Sequence, residues 1–392
     1  MTDLLVNEGT RVQGLDVPAK RLLILGTRGI PAAHGGFETF AEKLSLYLVA
    51  RGWSVTVYCQ ADGGKKIFGQ PEIDMWKGVR RVTIATSMSG PFGTLAFDWA
   101  SIAHALKEPG LPLVLGYNTA LFAARLRLAG RPLLMNMDGI EWKRSKWGLI
   151  AKIWFYLNEW SGARISDKLI ADHPAIAYHL GRIRKRSDIV TIAYGADSIT
   201  EAPLEPVRAF GVEPGRYFLS IGRIEPENSI LEIVKAYSAK PRQNRYICVG
   251  ALDPEHNSYH AAVLEAAKGG VLFPGSLYDQ SVVRALRFHA LAYCHGHTVG
   301  GTNPSLVESL GAGCAVVAHD NVFNKWVAGE EQLYFSDVDS CAQVLDRVEA
   351  DSTWRQHAKA KTRQRHESQY TWEHILRQYE TLLSVYQQDM VI

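Results

Sequence analysis

In the stretch Gly300-Gly301-Thr302-Asn303-Pro304-Ser305-Leu306-Val307-Glu308, a glycine pair runs into a helix start that carries one carboxylate a turn further in. The glycines let a backbone approach a ligand closely, Asn303 is a preferred helix cap, and Pro304 suits the first helical position. A helix opening here aims amides and the positive end of its dipole at an anion such as a diphosphate. Glu308 can then accept hydrogen bonds from ligand hydroxyls. The same residues also describe an ordinary capped helix with a surface glutamate, and this segment alone does not separate the two readings.

A second glycine loop, Gly26-Thr27-Arg28-Gly29-Ile30-Pro31-Ala32-Ala33-His34-Gly35-Gly36-Phe37-Glu38, follows a strand pattern and opens a helix pattern. Its glycines do not spell GxGxxG, and the next strand closes on Tyr58-Cys59-Gln60 without an acid, so a dinucleotide fingerprint is absent. Gly35 and Gly36 still allow a diphosphate to meet the backbone, with a tight turn as the alternative. In Asn136-Met137-Asp138-Gly139-Ile140-Glu141-Trp142-Lys143-Arg144, two carboxylates stand three residues apart beyond a strand. Asp138 is placed to contact a substrate hydroxyl and Glu141 to orient the bases after it; a capping aspartate with surface charges is the other reading. Arg223 ends the run YFLSIG within Gly222-Arg223-Ile224-Glu225-Pro226-Glu227-Asn228. Its guanidinium suits a leaving diphosphate, or an ion pair with Glu225 or Glu227.

Cys294, His295 and His297 are metal-ligand types, but Cys294 continues a buried apolar run and no pair has zinc-finger spacing, so no metal is expected. They and His173, after the run LIAD, read as polar cleft residues or as loop histidines. The segment Trp142 to Leu157 mixes Lys143, Arg144 and Lys146 with aromatics, as an interfacial helix does, although an aromatic stripe is more often core.

These residues need strands and helices to bring them together. From Arg21 the chain alternates apolar runs with helical patterns: LLILG, a helix from about Phe37 to Arg51, WSVTVYC, VTIA (82–85), LVLGY (113–117), LLMNMD (133–138), LIAD (169–172) and IVTIAY (189–194). That is βαβ order, which predicts a parallel sheet covered on both faces. Gly195 to Gly215 turns polar and bears Pro203, Pro206 and Pro214, which places a domain boundary there. A second series follows: YFLSIG (217–222), YICVG (246–250), VLFPG (271–275), ALAYCH (290–295), AVVAHD (315–320) and LYFSD (333–337). The end is helical, with Ile375, Leu376, Tyr379, Leu382, Leu383 and Tyr386 spaced as one face of Trp372 to Gln388. In such sheets ligands bind beyond the strands' carboxyl ends, so the cleft between two of them is the expected site.

Composition narrows the classes. The 392 residues exceed one ordinary core and predict two domains. With 43 basic against 40 acidic groups the net charge is +3, which argues against a nucleic-acid binder. Five scattered cysteines without a CxxC pair point to a reducing cytoplasm. The opening MTDLLVNEGT lacks the pattern of a secretion signal, and no uninterrupted apolar run is long enough for a membrane span.

The stretches LGTRGIPAAHGGFETFAEKL, DGIEWKRSKWG, GRIEPEN and GGTNPSLVESLGAGCAVVAHDN together resemble the retaining glycosyltransferases of family 4, and within them the rhamnosyltransferase-like group of bacterial polysaccharide assembly enzymes. The resemblance spans nearly the whole chain. It implies an α/β protein of GT-B fold: two Rossmann-like doubly wound domains facing a central cleft, with a C-terminal helix crossing back. The acceptor-side domain would comprise residues 1–203 with helix 372–392, and the nucleotide-sugar domain residues 204–371. It implies retaining transfer without metal or cofactor, the nucleotide sugar being a co-substrate. Carried over by position, Gly35 and Gly36 face the donor diphosphate, Arg223 binds phosphate, and Glu308 holds the ribose; Gly301, Thr302, Asn303, Ser305 and Leu306 complete the donor set. Asp138 joins Arg223 as catalytic, and Glu141, Lys143, Arg144 and His173 are acceptor-side candidates.

Three departures stand out: Gly300 where the family has a glutamate, Asn228 where it has a lysine, and Asp138 where it has a histidine. They look like the rhamnosyltransferase-like group, which makes a dTDP-linked 6-deoxy sugar the leading donor. The expected acceptor is a saccharide, with linkage to polyprenyl diphosphate and peripheral contact at the inner membrane surface as further expectations. Alternatives are another UDP- or GDP-sugar, a nucleotide-sugar 2-epimerase, against which DGIEWKR and the TNPS loop argue, and a catalytically weak sugar-nucleotide-binding protein.

Overall fold

The computed structural model describes residues 20–33, 35–144 and 147–388. The opening MTDLLVNEGT, His34, Lys146 and residues 389–392 of the expected first domain lie outside the described residues. The first sheet contains β1 (Arg21–Leu25), β2 (Ser54–Ala61), β3 (Pro71–Trp76), β4 (Val79–Ala85), β5 (Leu111–Leu115), β6 (Leu134–Asn136), β7 (Lys168–Ala171) and β8 (Ile189–Thr191). Its order is β3-β4-β2-β1-β5-β6-β7-β8, parallel except where β3 pairs antiparallel with β4. β3 departs from the all-parallel expectation. Its residues PEIDMW are almost wholly exposed, so no apolar run marks it; it is an edge strand, joined to β4 by Lys77 and Gly78, both at positive φ as a two-residue hairpin requires.

The second sheet contains β9 (Tyr217–Ile221), β10 (Arg245–Val249), β11 (Val271–Leu272), β12 (Ala292–His295), β13 (Val316–His319) and β14 (Leu333–Phe335). It is parallel throughout, in the order β11-β10-β9-β12-β13-β14. β11 is shorter than its apolar run because Pro274 lacks a donor to continue the ladder. In each sheet the winding reverses beside the first strand, between β1 and β5 and between β9 and β12, and loops leaving those carboxyl ends form the crevice.

Helices cover both faces. In helix Gly36–Val49, Phe40, Ala41, Leu44 and Leu48 are buried with Leu22 and Ile24, the stripe that a 3.6-residue period sets. The last helix, Trp372–Gln388, packs onto this same first-sheet core through Trp372, Ile375, Leu376, Tyr379 and Leu383. Each such side chain contributes about 1.5–3 kcal/mol by leaving water. Its start is pinned where Ala196 N–H donates to Tyr370 O at 2.8 Å.

Candidate functional site

On the first-sheet side, the loop after β1 is held by the helix it precedes: Arg28 N–H donates to Glu38 Oε1 at 3.3 Å and Ala32 N–H to Glu42 Oε2 at 2.7 Å. Gly35, at φ 97°, stands at the helix N-cap. A Cβ on Gly36 would lie 3.1 Å from Pro304 Cγ, so the two helix starts touch across the cleft. After β6, Asn136 donates to Tyr379 OH at 2.9 Å and accepts from Asp138 N–H at 3.0 Å. Asp138 itself takes a left-handed φ of 51°, uncommon for a residue with a Cβ and the kind of strain functional sites retain. Burial raises the Asp138 carboxyl above its ordinary pKa, against the charge of Arg144. Arg144 pairs with Glu141 at 2.8 Å and reaches Glu227 of the second sheet's loops at 3.6 Å.

Asp172 follows β7 directly. Its Oδ2 accepts from Thr302 N–H at 2.7 Å, its backbone carbonyl accepts from Thr302 Oγ1, and its Oδ1 has no partner among the described residues. Burial first, then the charge of Asp138, pushes this carboxyl up to about 7.

On the second-sheet side, Arg223 is 62% exposed and pairs with Glu225 at 3.3 Å. Asn228 donates to Arg223 O at 2.7 Å, and its Oδ1 lies 2.7 Å from His297 Nδ1, so it braces both residues. Burial, then the charges of Arg144 and Arg223, lower His297 to about 4, which keeps it neutral near pH 7. Asn303 caps helix Pro304–Gly311 by accepting from Ser305 N–H at 3.0 Å. Gly300 and Gly301 make room: a Cβ on the first would sit 3.0 Å from Phe323 Cζ, and on the second 2.7 Å from Asp172 Oδ2. Glu308 pairs with the buried Arg287 at 2.5 Å.

The result is a cleft of about 290 Å³ between the two sheets' carboxyl ends. It is lined by Gly36, Asp138, Arg144, Arg223, Thr302 and Asn303 from the sequence-predicted set. Gly35 instead lines a neighbouring cavity above β1 and β5, and Glu308 another that it shares with Arg287 and Lys43. Ser305 and Leu306 turn inward: Ser305 Oγ lies 2.6 Å from Tyr293 OH, and Leu306 is fully buried. Gly301 abuts Asp172, while Glu141 is buried behind Arg144 and Lys143 is exposed over the Trp142 ring. His173 does not line the cleft. Its Nδ1 caps the next helix by accepting from Ala175 N–H at 3.0 Å, its ring lies between Phe323 and Trp326, and burial lowers it to about 4.

Sequence reading missed Asp172, Asn136 and Tyr379 as cleft residues. Asp172 carried a usable signal, an acid ending an apolar strand just as Asp138 does; Tyr379 carried none, being one more apolar position of its helix. Arg144 and Arg223 together with the carboxylates of Asp138 and Asp172 in one cleft suit a ligand that joins a phosphate group to a hydroxyl-bearing ring. Among the described residues no group of three His, Cys, Asp or Glu side chains is placed to hold a metal ion. No helix among them is long and apolar enough to cross a membrane.

Residues 19–197 match a family model described as a domain of unknown function (DUF1972), and residues 231–381 match one described as glycosyl transferase-like. No curated protein matches the chain. Among solved structures, sucrose-phosphate synthase from Thermosynechococcus elongatus is 19% identical with a TM-score of 0.78, covering 95% of this chain and 99% of that one. Anabaena HepE in complex with UDP and glucose is 16% identical with a TM-score of 0.74, covering 93% and 100%. An α,α-trehalose-phosphate synthase from Burkholderia xenovorans in complex with glucose-6-phosphate is 13% identical with a TM-score of 0.71, covering 93% and 100%. The chain therefore has the GT-B fold, two Rossmann-like sheets about a cleft, and its second half is glycosyl transferase-like.

Proposed function

We propose that this protein is a glycosyltransferase that takes its sugar from a nucleotide-sugar donor and passes it to a saccharide acceptor. The observation that carries the reading is the cleft itself, about 290 Å³ lined by Arg223 and the helix start at Gly36 and by Asp138 and Asp172. A diphosphate fits the first pair and a sugar ring the second. The glycosyl transferase-like match of the second half, and the UDP, glucose and glucose-6-phosphate named with the solved structures of the same fold, support it.

The donor we favour is dTDP-L-rhamnose, because the TNPS loop and the glycine at 300 look like the rhamnosyltransferase-like group. Transfer would proceed with retention and without a metal ion: the leaving diphosphate, neutralised by Arg223, draws the proton from an incoming hydroxyl on the same face of the sugar. Catalysis is then positioning and electrostatic stabilisation in a site that domain closure dries.

The acceptor we favour is lipid-linked, in cell-surface polysaccharide assembly at the cytoplasmic membrane face. Helix Leu149–Ile165, beside the acceptor-side loop, leaves Leu149, Ile150, Ile153 and Leu157 exposed, with the half-buried Lys152 between them in the chain. Such a face suits an anionic lipid surface.

Melting curves with a panel of dTDP-, UDP- and GDP-sugars test the donor, since a ligand that binds only the folded state raises the midpoint. A shift with dTDP-L-rhamnose is expected. Shifts with UDP- or GDP-sugars alone would remove the rhamnosyl assignment, and no shift with any donor would remove the transferase reading. Nucleotide release that depends on a lipid extract separates transfer from epimerisation.

A further inference from the structure

We infer that Asp172 binds the transferred sugar itself: it is a specificity-determining carboxylate delivered from the first sheet into the loop of the second. The inference rests on the nucleotide-sugar reading above. The Gly300 side of the loop has no room for an acid, because Phe323 and Ile176 stand 3.0 and 3.3 Å from where a Cβ would point. One residue on, Gly301 at φ 99° leaves a gap that the Asp172 carboxylate fills. Two contacts to Thr302 hold Asp172 in register with the second sheet's loop. This joins residues 130 apart in the chain.

Only half of the carboxylate is accounted for by that brace. Oδ2 takes the Thr302 amide, while Oδ1 is buried and has no partner among the described residues, although Asp172 lines the cleft beside Asp138, Asn303 and Arg223. A buried carboxylate oxygen left unpaired is costly and calls for a donor. The donors a sugar brings are hydroxyls. Arg223, the cation best placed for the diphosphate, lines the same cleft, so a ligand held there by its phosphates carries its sugar toward Asp172. Asp172 also reports domain closure, since its sugar contact and its Thr302 contact exist together only when the two sheets are docked.

The test compares binding of dTDP-L-rhamnose and of dTDP by calorimetry in the wild type, Asp172→Asn and Asp172→Ala, with melting curves to establish that each variant folds. Asp172→Asn keeps an oxygen that can accept from Thr302 N–H but loses the charge. Measured at about pH 8, above the value to which burial raises this carboxyl, a charged hydrogen bond to a hydroxyl predicts about a tenfold to hundredfold weaker binding of dTDP-L-rhamnose in both variants, with dTDP unchanged within about twofold. Equal weakening of both ligands would make Asp172 a loop brace only, and unchanged binding of both would make it a bystander; either overturns the inference. If the wild type prefers UDP-glucose, the same comparison is run with UDP-glucose and UDP. A wild type that binds no nucleotide sugar removes the underlying reading, a result distinct from wild-type binding that the variants fail to alter selectively.

Discussion

Two helix starts meet across the cleft, and they treat their amides in opposite ways. Helix Pro304–Gly311 spends its donors internally: Ser305 N–H goes to the Asn303 cap, Pro304 has no amide hydrogen, and Thr302 N–H just before it goes to Asp172. Helix Gly36–Val49 opens on a glycine, with no side-chain cap among the described residues. Its first-turn amides are therefore left for solvent or a ligand. The segment whose sequence reads most like an anion site contributes shape and a carboxylate contact, whereas the plainer loop keeps the open helix dipole. Anion binding accordingly leans on Gly36 and Arg223, and sugar binding on the Gly300 segment with its docked Asp172.

The comparison breaks most severely at Gly36. Its missing Cβ already has Pro304 Cγ at 3.1 Å and Tyr194 Cε2 at 3.7 Å, so Gly36→Val pushes the helix starts apart and closes the diphosphate's approach. We expect transfer and nucleotide-sugar binding to fall below detection while the melting midpoint moves little. Retained binding would show that the diphosphate sits elsewhere. Next in size is Arg223→Ala. Removing one preorganised charge from a transition-state diphosphate costs about a hundredfold or more in kcat/KM. Steady-state rates on the donor found by the melting panel check this, and Asn303→Ala in the same assay should cost far less.

What the sequence made legible follows from local physics. Apolar runs such as LLILG and YFLSIG stand where β1 and β9 form, because strands buried on both faces have no polar option. The glycine pairs, Asn303 and Pro304 announce helix starts through their own conformational preferences, and both starts are where they were expected. What stayed hidden is long-range. Nothing near Ser305 shows that its hydroxyl is spent on Tyr293 and Ile221 O, or near Glu308 that Arg287 is its partner. Nor does LIADH show that the aspartate turns to Thr302 while the histidine caps a helix. β3 escaped because an exposed edge strand has no burial pattern to display.

A third helix start, capped like that at Asn303, sharpens the contrast between structural and ligand-facing termini. His173 caps helix Pro174–Leu180 through its unprotonated Nδ1, and burial lowers its pKa to about 4. The unfolded chain takes up this proton near pH 6.5, whereas the folded one resists until about 4. The stability His173 contributes is thus present above about pH 6.5 and lost as pH falls toward 4, on the order of 3 kcal/mol for a fully buried ring. Asp98 and Asp172, both raised to about 7, titrate oppositely in that window, so the difference between wild type and His173→Asn is what isolates the ring. Asparagine keeps a capping oxygen and does not titrate. Denaturant melts from pH 7 to 4 should show the wild type losing stability relative to the variant; parallel curves would mean the imidazole is protonated without cost.

The smallest expected effect falls on the helix that keeps its donors to itself. Asn303→Ala removes the acceptor of Ser305 N–H and should cost about 1 kcal/mol of stability, the usual worth of such a cap. The structure adds a second consequence. With its cap gone, Ser305 N–H joins the cleft as an open amide beside Pro304, and the second helix start comes to resemble the first. If amide commitment is what separates the two starts, inorganic pyrophosphate should bind Asn303→Ala at least as tightly as it binds the wild type, despite the lost stability. If instead Asn303 itself contacts the phosphates, pyrophosphate binding falls along with the melting midpoint, and the division of labour between the two loops is wrong.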